Sequence, residues 1–291
     1  MQPGTSPATD ADTVATAVRG TGAPVLVLHG TPGGIGAADV MGRFLSSERF
    51  RVTTVARPGY AGTPLVPGRS SLDDEADRYA ALLDRAGTDR TAVLAWSGGG
   101  PAAYRFAVRH PDRVSALVVA AGLSGRWVPP RSSPAEWVVE HTALGAVLAG
   151  VAARLLPTAV VRTAEAGVSA LRGRALSAHV ADVTRDAGRR RTVLDLSTSG
   201  NAGGANRPGW DNDVRVLGAV DDLGLGAVRA PTLLVHGDAD TEVPFSHSAR
   251  AAAAVPDVDL VTLPGGTHFA LWDHHDATAV QDRVRRHLER D

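Results

Sequence analysis

Short apolar runs alternate with amphipathic segments towards both ends of the chain. Six short runs are mainly apolar and are bounded by Gly, Pro or Asp: Val25–Leu28, Val52–Val55, Ala92–Ala95, Ala116–Ala120, Thr232–Val235 and Leu260–Leu263. Such runs are typical of parallel strands that are buried on both faces of a sheet. The segments between them have helical spacing: Ala37–Glu48, Leu72–Ala86, Pro101–His110, Ser246–Val255 and Ala277–Arg290. This alternation predicts an α/β fold with a doubly wound, mostly parallel sheet, and Thr13–Arg19 is a candidate antiparallel edge strand.

The alternation stops in the middle of the chain. Residues 124–229 are rich in Ala, Arg and Leu, with helical spacing in Trp137–Leu148 and Val160–Leu176 and a loop-prone run at Ser199–Trp210. We therefore predict an inserted helical cap over residues 124–229 and a core formed by residues 13–123 and 230–291. Residues 1–12 are polar and are predicted to be a disordered tail.

Composition excludes several classes of function. The 291 residues carry a net charge of -1, which gives no electrostatic footprint for nucleic acid. There is no cysteine and no lysine, so thiolate sites, Schiff bases and a lysine-dependent phosphate loop are excluded. The first dozen residues lack a secretory signal and no apolar run is long enough for a bilayer, so we expect a cytoplasmic protein without membrane or nucleic-acid partners.

One serine lies at a glycine-rich turn between a predicted strand and a predicted helix. The segment Ala95–Gly99 reads AWSGG, and Ser97 is its only hydroxyl. Small neighbours permit a tight strand-to-helix turn, and the following helix N-terminus favours developing negative charge. The pattern is the G-x-S-x-G nucleophile elbow with its first glycine replaced by Ala95. An incidental serine in a glycine-rich turn is the alternative on this segment alone.

A base and an acid follow the serine in the chain. His268 lies in a predicted loop after the last strand, and Asp240 follows the strand Thr232–Val235 in HGDADTEVP. Serine needs an adjacent base and the base an orienting carboxylate, so we predict a triad of Ser97, Asp240 and His268. The other histidines are expected to be structural (His29, His236) or solvated and capping (His110, His141, His179, His247, His274, His275, His287).

Two backbone N–H groups should bind the oxyanion of a tetrahedral intermediate. One is expected from Gly98, the residue after the nucleophile. The segment HGTPGG follows the first predicted parallel strand, and Pro32 has no N–H, so Thr31 is expected to supply the second.

These motifs resemble those of the α/β-hydrolase fold family, in the branch of proline iminopeptidases, lactonases and cofactor-free haloperoxidase-like esterases. The matching segments are HGTPGG, ARPGYAGT, AWSGGGPAAYRFAVRHPDRV, HGDADTEVP and GGTHF. The resemblance covers about Thr13–Leu123 and Ala230–Leu288; the middle of the chain matches the family's cap only in position and helical character. It implies an α/β-hydrolase fold, the triad and oxyanion donors above, and no metal or organic cofactor. A serine at the nucleophile position argues against epoxide hydrolase and dehalogenase activity.

The resulting hypothesis is a serine hydrolase, monomeric or homodimeric, that cleaves a small, mainly apolar ester, lactone or thioester. An iminopeptidase-like aminopeptidase, a biosynthetic enzyme that performs cyclisation or acyl transfer, and a non-catalytic receptor stay open as alternatives. Four tryptophans either line an acyl pocket or pack the cap onto the core: Trp96, Trp127, Trp137 and Trp210.

Overall fold

A mostly parallel sheet forms the centre of the molecule. The computed structural model describes residues 13–129 and 141–290, and within them seven strands follow the order β1-β3-β2-β4-β5-β6-β7. Only β1 runs antiparallel, at the edge beside β3. The strands are β1 (Thr16–Arg19), β2 (Ala23–Leu28), β3 (Phe50–Val55), β4 (Thr91–Trp96), β5 (Val114–Ala120), β6 (Thr232–Gly237) and β7 (Val258–Leu263). The predicted α/β fold class is confirmed, including the antiparallel edge.

Helices cover both faces of this sheet. Those that connect or follow the strands are α1 (Ile35–Gly42), α2 (Leu72–Arg85), α3 (Gly100–Arg109), α9 (Ser246–Ala254), α10 (Ala270–Asp273) and α11 (Ala277–Leu288). Successive residues of β2 face opposite layers: Val25 and Val27 pack with α1 and α11, whereas Leu26 and Leu28 pack with α2 and α3. Two buried layers explain why the strand sequences are mainly apolar.

Five described helices lie between β5 and β6. They are α4 (Ala143–Leu155), α5 (Pro157–Val168), α6 (Gly173–Arg185), α7 (Ala187–Ser199) and α8 (Arg207–Gly218). We refer to them as the cap helices. No described helix in the chain combines the length and apolarity that crossing a membrane requires.

The cap departs from the predicted elements in two places. The periodic segment Val160–Leu176 is not continuous: the helix breaks after Val168 because Ser169 forms an isolated bridge with Asp240 of the core. The predicted loop Ser199–Trp210 ends early, since α8 begins at Arg207 with a proline in its first turn. Proline is favoured at that position because the first helical N–H groups have no intrahelical partner.

The carboxyl edge of the sheet collects the residues that the sequence singles out. Thr31 follows β2, Ser97 follows β4, Asp240 follows β6 and His268 follows β7. Since β2, β4, β6 and β7 are parallel, these loops emerge on the same side of the molecule, below the cap helices.

Candidate active site

Ser97 occupies a strained turn. Its φ angle is 55°, in the left-handed region that residues with a side chain rarely adopt, and it begins the single 3₁₀ turn between β4 and α3. Its carbonyl accepts a hydrogen bond from Leu123 N at 3.1 Å. The turn is also tight: a Cβ on Gly99 would lie 2.6 Å from the carbonyl oxygen of His29. This geometry makes the Ser97 side chain project from the carboxyl edge of the sheet, next to the N-terminus of α3.

His268 is held by Asp240. Its Nδ1 lies 2.7 Å from Asp240 Oδ2, which assigns the proton to Nδ1 and leaves Nε2 free to act as a base. Trp96 Nε1 donates to the His268 carbonyl at 3.1 Å, and the two rings are 5.0 Å apart. Burial alone would lower the His268 pKa, but the Asp240 carboxylate raises it above the ordinary value. Ser97 and His268 both line the same cavity.

The Asp240 carboxylate has further partners. Oδ1 accepts hydrogen bonds from the backbone N–H groups of Glu242 and Val243, both at 2.9 Å. His236 Nε2 lies 3.2 Å from Oδ2, and Ser248 Oγ lies 2.6 Å from its Nδ1. Burial raises the pKa of Asp240, but the charge of His268 and the hydrogen bonds from both histidines lower it to about 2. The acid is therefore ionised at neutral pH. His236, expected to be structural, contacts the acid directly.

The two expected oxyanion donors are adjacent. A Cβ on Gly98 would lie 3.3 Å from Thr31 N and 2.3 Å from Thr31 Oγ1, so only glycine permits this approach. The Thr31 hydroxyl donates to Asp213 Oδ2 of α8 at 2.6 Å. A cap residue thus fixes the loop that carries Thr31.

A buried charge network, which the sequence reasoning missed, supports this loop. Arg57 Nε donates to Glu75 Oε1 at 2.8 Å and Arg57 Nη1 donates to Asp213 Oδ2 at 2.9 Å. Tyr60 OH donates to Asp213 Oδ2 at 2.7 Å. Arg57, with 0% exposure, lies in the ARPGYAGT turn, and a fully buried guanidinium needs carboxylate partners. The network joins the loop after β3, helix α2 and cap helix α8. The signal in the sequence was an arginine and a tyrosine directly after an apolar strand.

A cavity of about 590 Å³ lies between the sheet edge and the cap helices. Thr31 and Ser97 line it from the core, and its described lining contains no arginine. Further residues that line it are Trp96, Trp127, His141, Trp210, Glu242 and His268. Three of the four candidate tryptophans therefore contact the cavity, whereas Trp137 lies outside the described residues.

Trp127 and Trp210 do both of the things proposed for the tryptophans. Their rings meet edge to face at 6.2 Å, and Trp127 N donates to Leu217 O of α8 at 3.0 Å. His141 packs edge to face on Trp210 at 5.3 Å. The expectation that His141 is solvated or capping missed this ring contact, because no local pattern marks it.

The predictions for two further histidines had different outcomes. His29 is buried and accepts a hydrogen bond from Arg57 N at 3.0 Å, as a structural residue would. Burial, and then Arg57, lower its pKa to about 3, so it is neutral. His179 is not solvated: its Nε2 lies within 3.3 Å of two buried carboxylates, Glu165 and Asp273.

The comparison with known families agrees with this architecture. Residues 23–275 match the model of the alpha/beta hydrolase fold family. The chain therefore belongs to the α/β-hydrolase fold family, and it is an enzyme of the serine-hydrolase type. The resemblance drawn from the motifs is confirmed.

Individual relatives indicate the type of reaction within this family. An α/β-hydrolase fold protein from Nakamurella multipartita superimposes with a TM-score of 0.92 and 41% identity, over 94% of this chain and 95% of that one. A pimeloyl-[acyl-carrier protein] methyl ester esterase from Chromobacterium violaceum is 30% identical over 93% of this chain and 96% of its own length. A 2-hydroxy-6-oxononadienedioate/2-hydroxy-6-oxononatrienedioate hydrolase from Pseudomonas putida is 29% identical over 86% and 82%. Two of these relatives are named as hydrolases of small molecules or of an ester, which supports a hydrolase of the esterase type.

Proposed function

We propose that this enzyme hydrolyses a small, mainly apolar and uncharged ester, lactone or thioester through an acyl-enzyme on Ser97. The observation that carries the proposal is the cavity of about 590 Å³ that Ser97, His268 and Thr31 share. Its volume suits a small ligand, and most of its described lining is apolar or small.

The reaction follows from the arrangement of these groups. His268 Nε2 removes the proton from Ser97 Oγ as Oγ attacks the acyl carbonyl carbon. The N–H groups of Thr31 and Gly98 stabilise the oxyanion. The protonated His268 gives its proton to the departing alcohol or thiol, and water, deprotonated by the same base, then releases the acid and restores Ser97. Asp240 stabilises the imidazolium in both halves.

Charge in the cavity favours a neutral substrate. The named substrate of the Pseudomonas putida relative is a dioate, which carries two carboxylates. Among the described lining residues of this chain no arginine is present to bind such groups, and Glu242 adds a carboxylate. A terminal carboxylate on the substrate would therefore lose its hydration in this cavity without a described arginine to bind it.

The test has two stages, and the first concerns the nucleophile. The wild type and Ser97→Ala are treated with a fluorophosphonate and their intact masses are compared. One adduct on the wild type and none on the variant is expected; an unlabelled, folded wild type would contradict the proposal.

The second stage concerns the substrate. 4-Nitrophenyl pentanoate and 4-nitrophenyl hemiglutarate differ only in a terminal carboxylate, and we expect the neutral ester to have a kcat/KM at least about tenfold higher. Glu242→Gln should narrow that difference. Faster turnover of the hemiglutarate by the wild type would contradict a neutral substrate.

Glu242 also supports a second candidate. A carboxylate in the cavity is able to bind a substrate amine, as an iminopeptidase-like enzyme requires. Two further acidic residues of the cap segment, Glu136 and Glu140, lie outside the described residues. Proline 4-nitroanilide belongs in the same panel, and preferential cleavage of it would favour the aminopeptidase.

A further inference from the structure

Three ionisable side chains meet on the far side of the cavity wall. Glu165 lies on α5, His179 on α6 and Asp273 at the end of α10, so two come from the cap and one from the core. Each offers one ligand atom, and these atoms lie within 4.8 Å of one another. None of the three residues lines the cavity. We call them the cap–core cluster.

The two carboxylates of the cap–core cluster are buried and incompletely hydrogen-bonded. Glu165 and Asp273 both have fully buried side chains, at 0% exposure. Both oxygens of Glu165 and Oδ1 of Asp273 have no hydrogen-bond partner. Unsatisfied buried carboxylate oxygens are costly, so a ligand that accepts their lone pairs would stabilise the cluster.

The neighbouring groups do not supply the missing partners. Arg189 donates to the backbone carbonyl of Asp273 at 3.2 Å, but its guanidinium is paired with Asp182 at 2.7 Å. The Thr267 hydroxyl donates to Asp273 Oδ2 at 3.2 Å, whereas Oδ1 has no hydrogen-bond partner. The described surroundings thus leave three carboxylate oxygens, two of Glu165 and one of Asp273, to be satisfied by a bound cation.

The distances match those in a metal site. His179 Nε2 lies 3.3 Å from Glu165 Oε2 and 3.2 Å from Asp273 Oδ2. With metal–ligand bonds of about 2.0 to 2.2 Å, two ligands of one tetrahedral ion lie roughly 3.3 to 3.6 Å apart, close to both of these distances. One imidazole nitrogen and two carboxylate oxygens form a donor set that Zn²⁺ accepts, and water completes the fourth position. His179 is 14% exposed, which gives an ion a route of entry.

We propose that Glu165, His179 and Asp273 bind a divalent ion of the Zn²⁺ type that fastens the cap onto the core. The ion is structural: it lies outside the cavity and takes no part in the bond cleavage assigned to Ser97. It acts at a junction where the cap already contacts the catalytic loops, since Ala170 N donates to Ala239 O at 2.7 Å. The proposal does not depend on the identity of the substrate.

The experiment uses the full chain, stripped of metal with a chelator and then titrated with ZnCl₂. Zinc content is measured by mass spectrometry and thermal unfolding by calorimetry. We expect one bound Zn²⁺ per chain and a Tm that rises by roughly 5 °C at a hundredfold excess over the dissociation constant. No bound zinc and an unchanged Tm in the folded wild type would overturn the proposal, and would indicate that the two carboxylates share a proton.

Matched variants locate the ion. Glu165→Gln keeps the side-chain shape and His179→Gln keeps a polar side chain; each should abolish both the bound zinc and the Tm response. A second group, His274, His275 and Asp276, is exposed in part and is able to bind zinc adventitiously. His275→Gln is therefore the control and should leave both readouts unchanged. Loss of zinc in His275→Gln, with zinc retained in Glu165→Gln, would place the ion at the surface and overturn the proposal.

Discussion

At the scale of single residues, we expect the environment of His268, the proposed base, to set the pH range of the reaction. The base acts only when neutral, and the Asp240 carboxylate raises its pKa above the ordinary value of 6.5. Activity is therefore lost as pH falls through the raised pKa, and kcat/KM for a neutral ester should show one inflection above pH 6.5. A pH–rate profile of the wild type measures it.

The substitution Asp240→Asn tests whether the Asp240 carboxylate causes the raised pKa of His268. Removing the negative charge should move the inflection to lower pH, and loss of the correct imidazole tautomer should lower kcat by about 10⁴-fold. Glu242→Gln is the control: it removes a weaker interaction with His268 and should move the inflection less. An unchanged inflection in Asp240→Asn would show that this carboxylate does not determine the pKa of His268.

Two adjacent glycines should respond differently to one added methyl group. In Gly98→Ala the Cβ meets the Thr31 hydroxyl at 2.3 Å, so the oxyanion loop must move and kcat should fall by about 10²- to 10³-fold. In Gly99→Ala the Cβ meets the carbonyl oxygens of His29 and Leu28 at 2.6 and 2.8 Å. Because backbone atoms cannot move aside as a side chain can, Gly99→Ala should lose about 1 to 3 kcal/mol of stability.

Turnover and thermal unfolding of both variants separate these effects. Normal kcat in Gly98→Ala would argue against Thr31 and Gly98 as a paired oxyanion site. A normal Tm in Gly99→Ala would argue against the tight turn.

The sequence indicated residues with local signatures and missed those defined by tertiary contacts. Ser97 stands in an elbow motif and His268 in a glycine-rich loop, and the structure brings both to one cavity. His236 and Arg57 lie in the matching segments HGDADTEVP and ARPGYAGT, but neither segment indicates which side chains they contact. Their partners lie on loops and helices that only the folded chain brings together, and so do the carboxylates beside His179.

At the scale of elements, Arg57 connects the core to cap helix α8. Arg57→Met would leave the carboxylates of Glu75 and Asp213 buried without their cation, and we expect a loss of about 3 to 5 kcal/mol in the free energy of unfolding. Urea unfolding measures it. Arg109→Met, which breaks an exposed pair with Asp77, is the control and should change stability little. Equal effects of the two substitutions would contradict a special role for the buried network.

Element boundaries were predictable where local chemistry decides them. The helix predicted from Leu72 begins there because Ser71 forms a capping box with Asp74. The break between α5 and α6 was not predictable, because Ser169 leaves the helix to bridge Asp240, 71 positions further along the chain. Helical periodicity continues through this break, so pattern alone favours one long helix.

At the scale of the whole molecule, we expect the cap to limit the length of the acyl chain. Trp210→Ala should enlarge the cavity and raise the ratio of kcat/KM for 4-nitrophenyl octanoate over butyrate by roughly tenfold, since each buried methylene contributes to binding. Leu155→Ala, at 72% exposure on cap helix α4, is the control and should leave the ratio unchanged. An unchanged ratio in Trp210→Ala would mean that this ring packs the cap without limiting the substrate.

The tryptophans that line the cavity also give the enzyme an intrinsic optical reporter. Three of the five in the chain, Trp96, Trp127 and Trp210, contact the space in which the acyl group would lie. An acyl group that replaces water beside these indoles changes the polarity around them and hence their emission. Stopped-flow fluorescence of the unlabelled protein can therefore follow the filling and emptying of the cavity in a single turnover, and resolve the rate of acylation from the rate of deacylation.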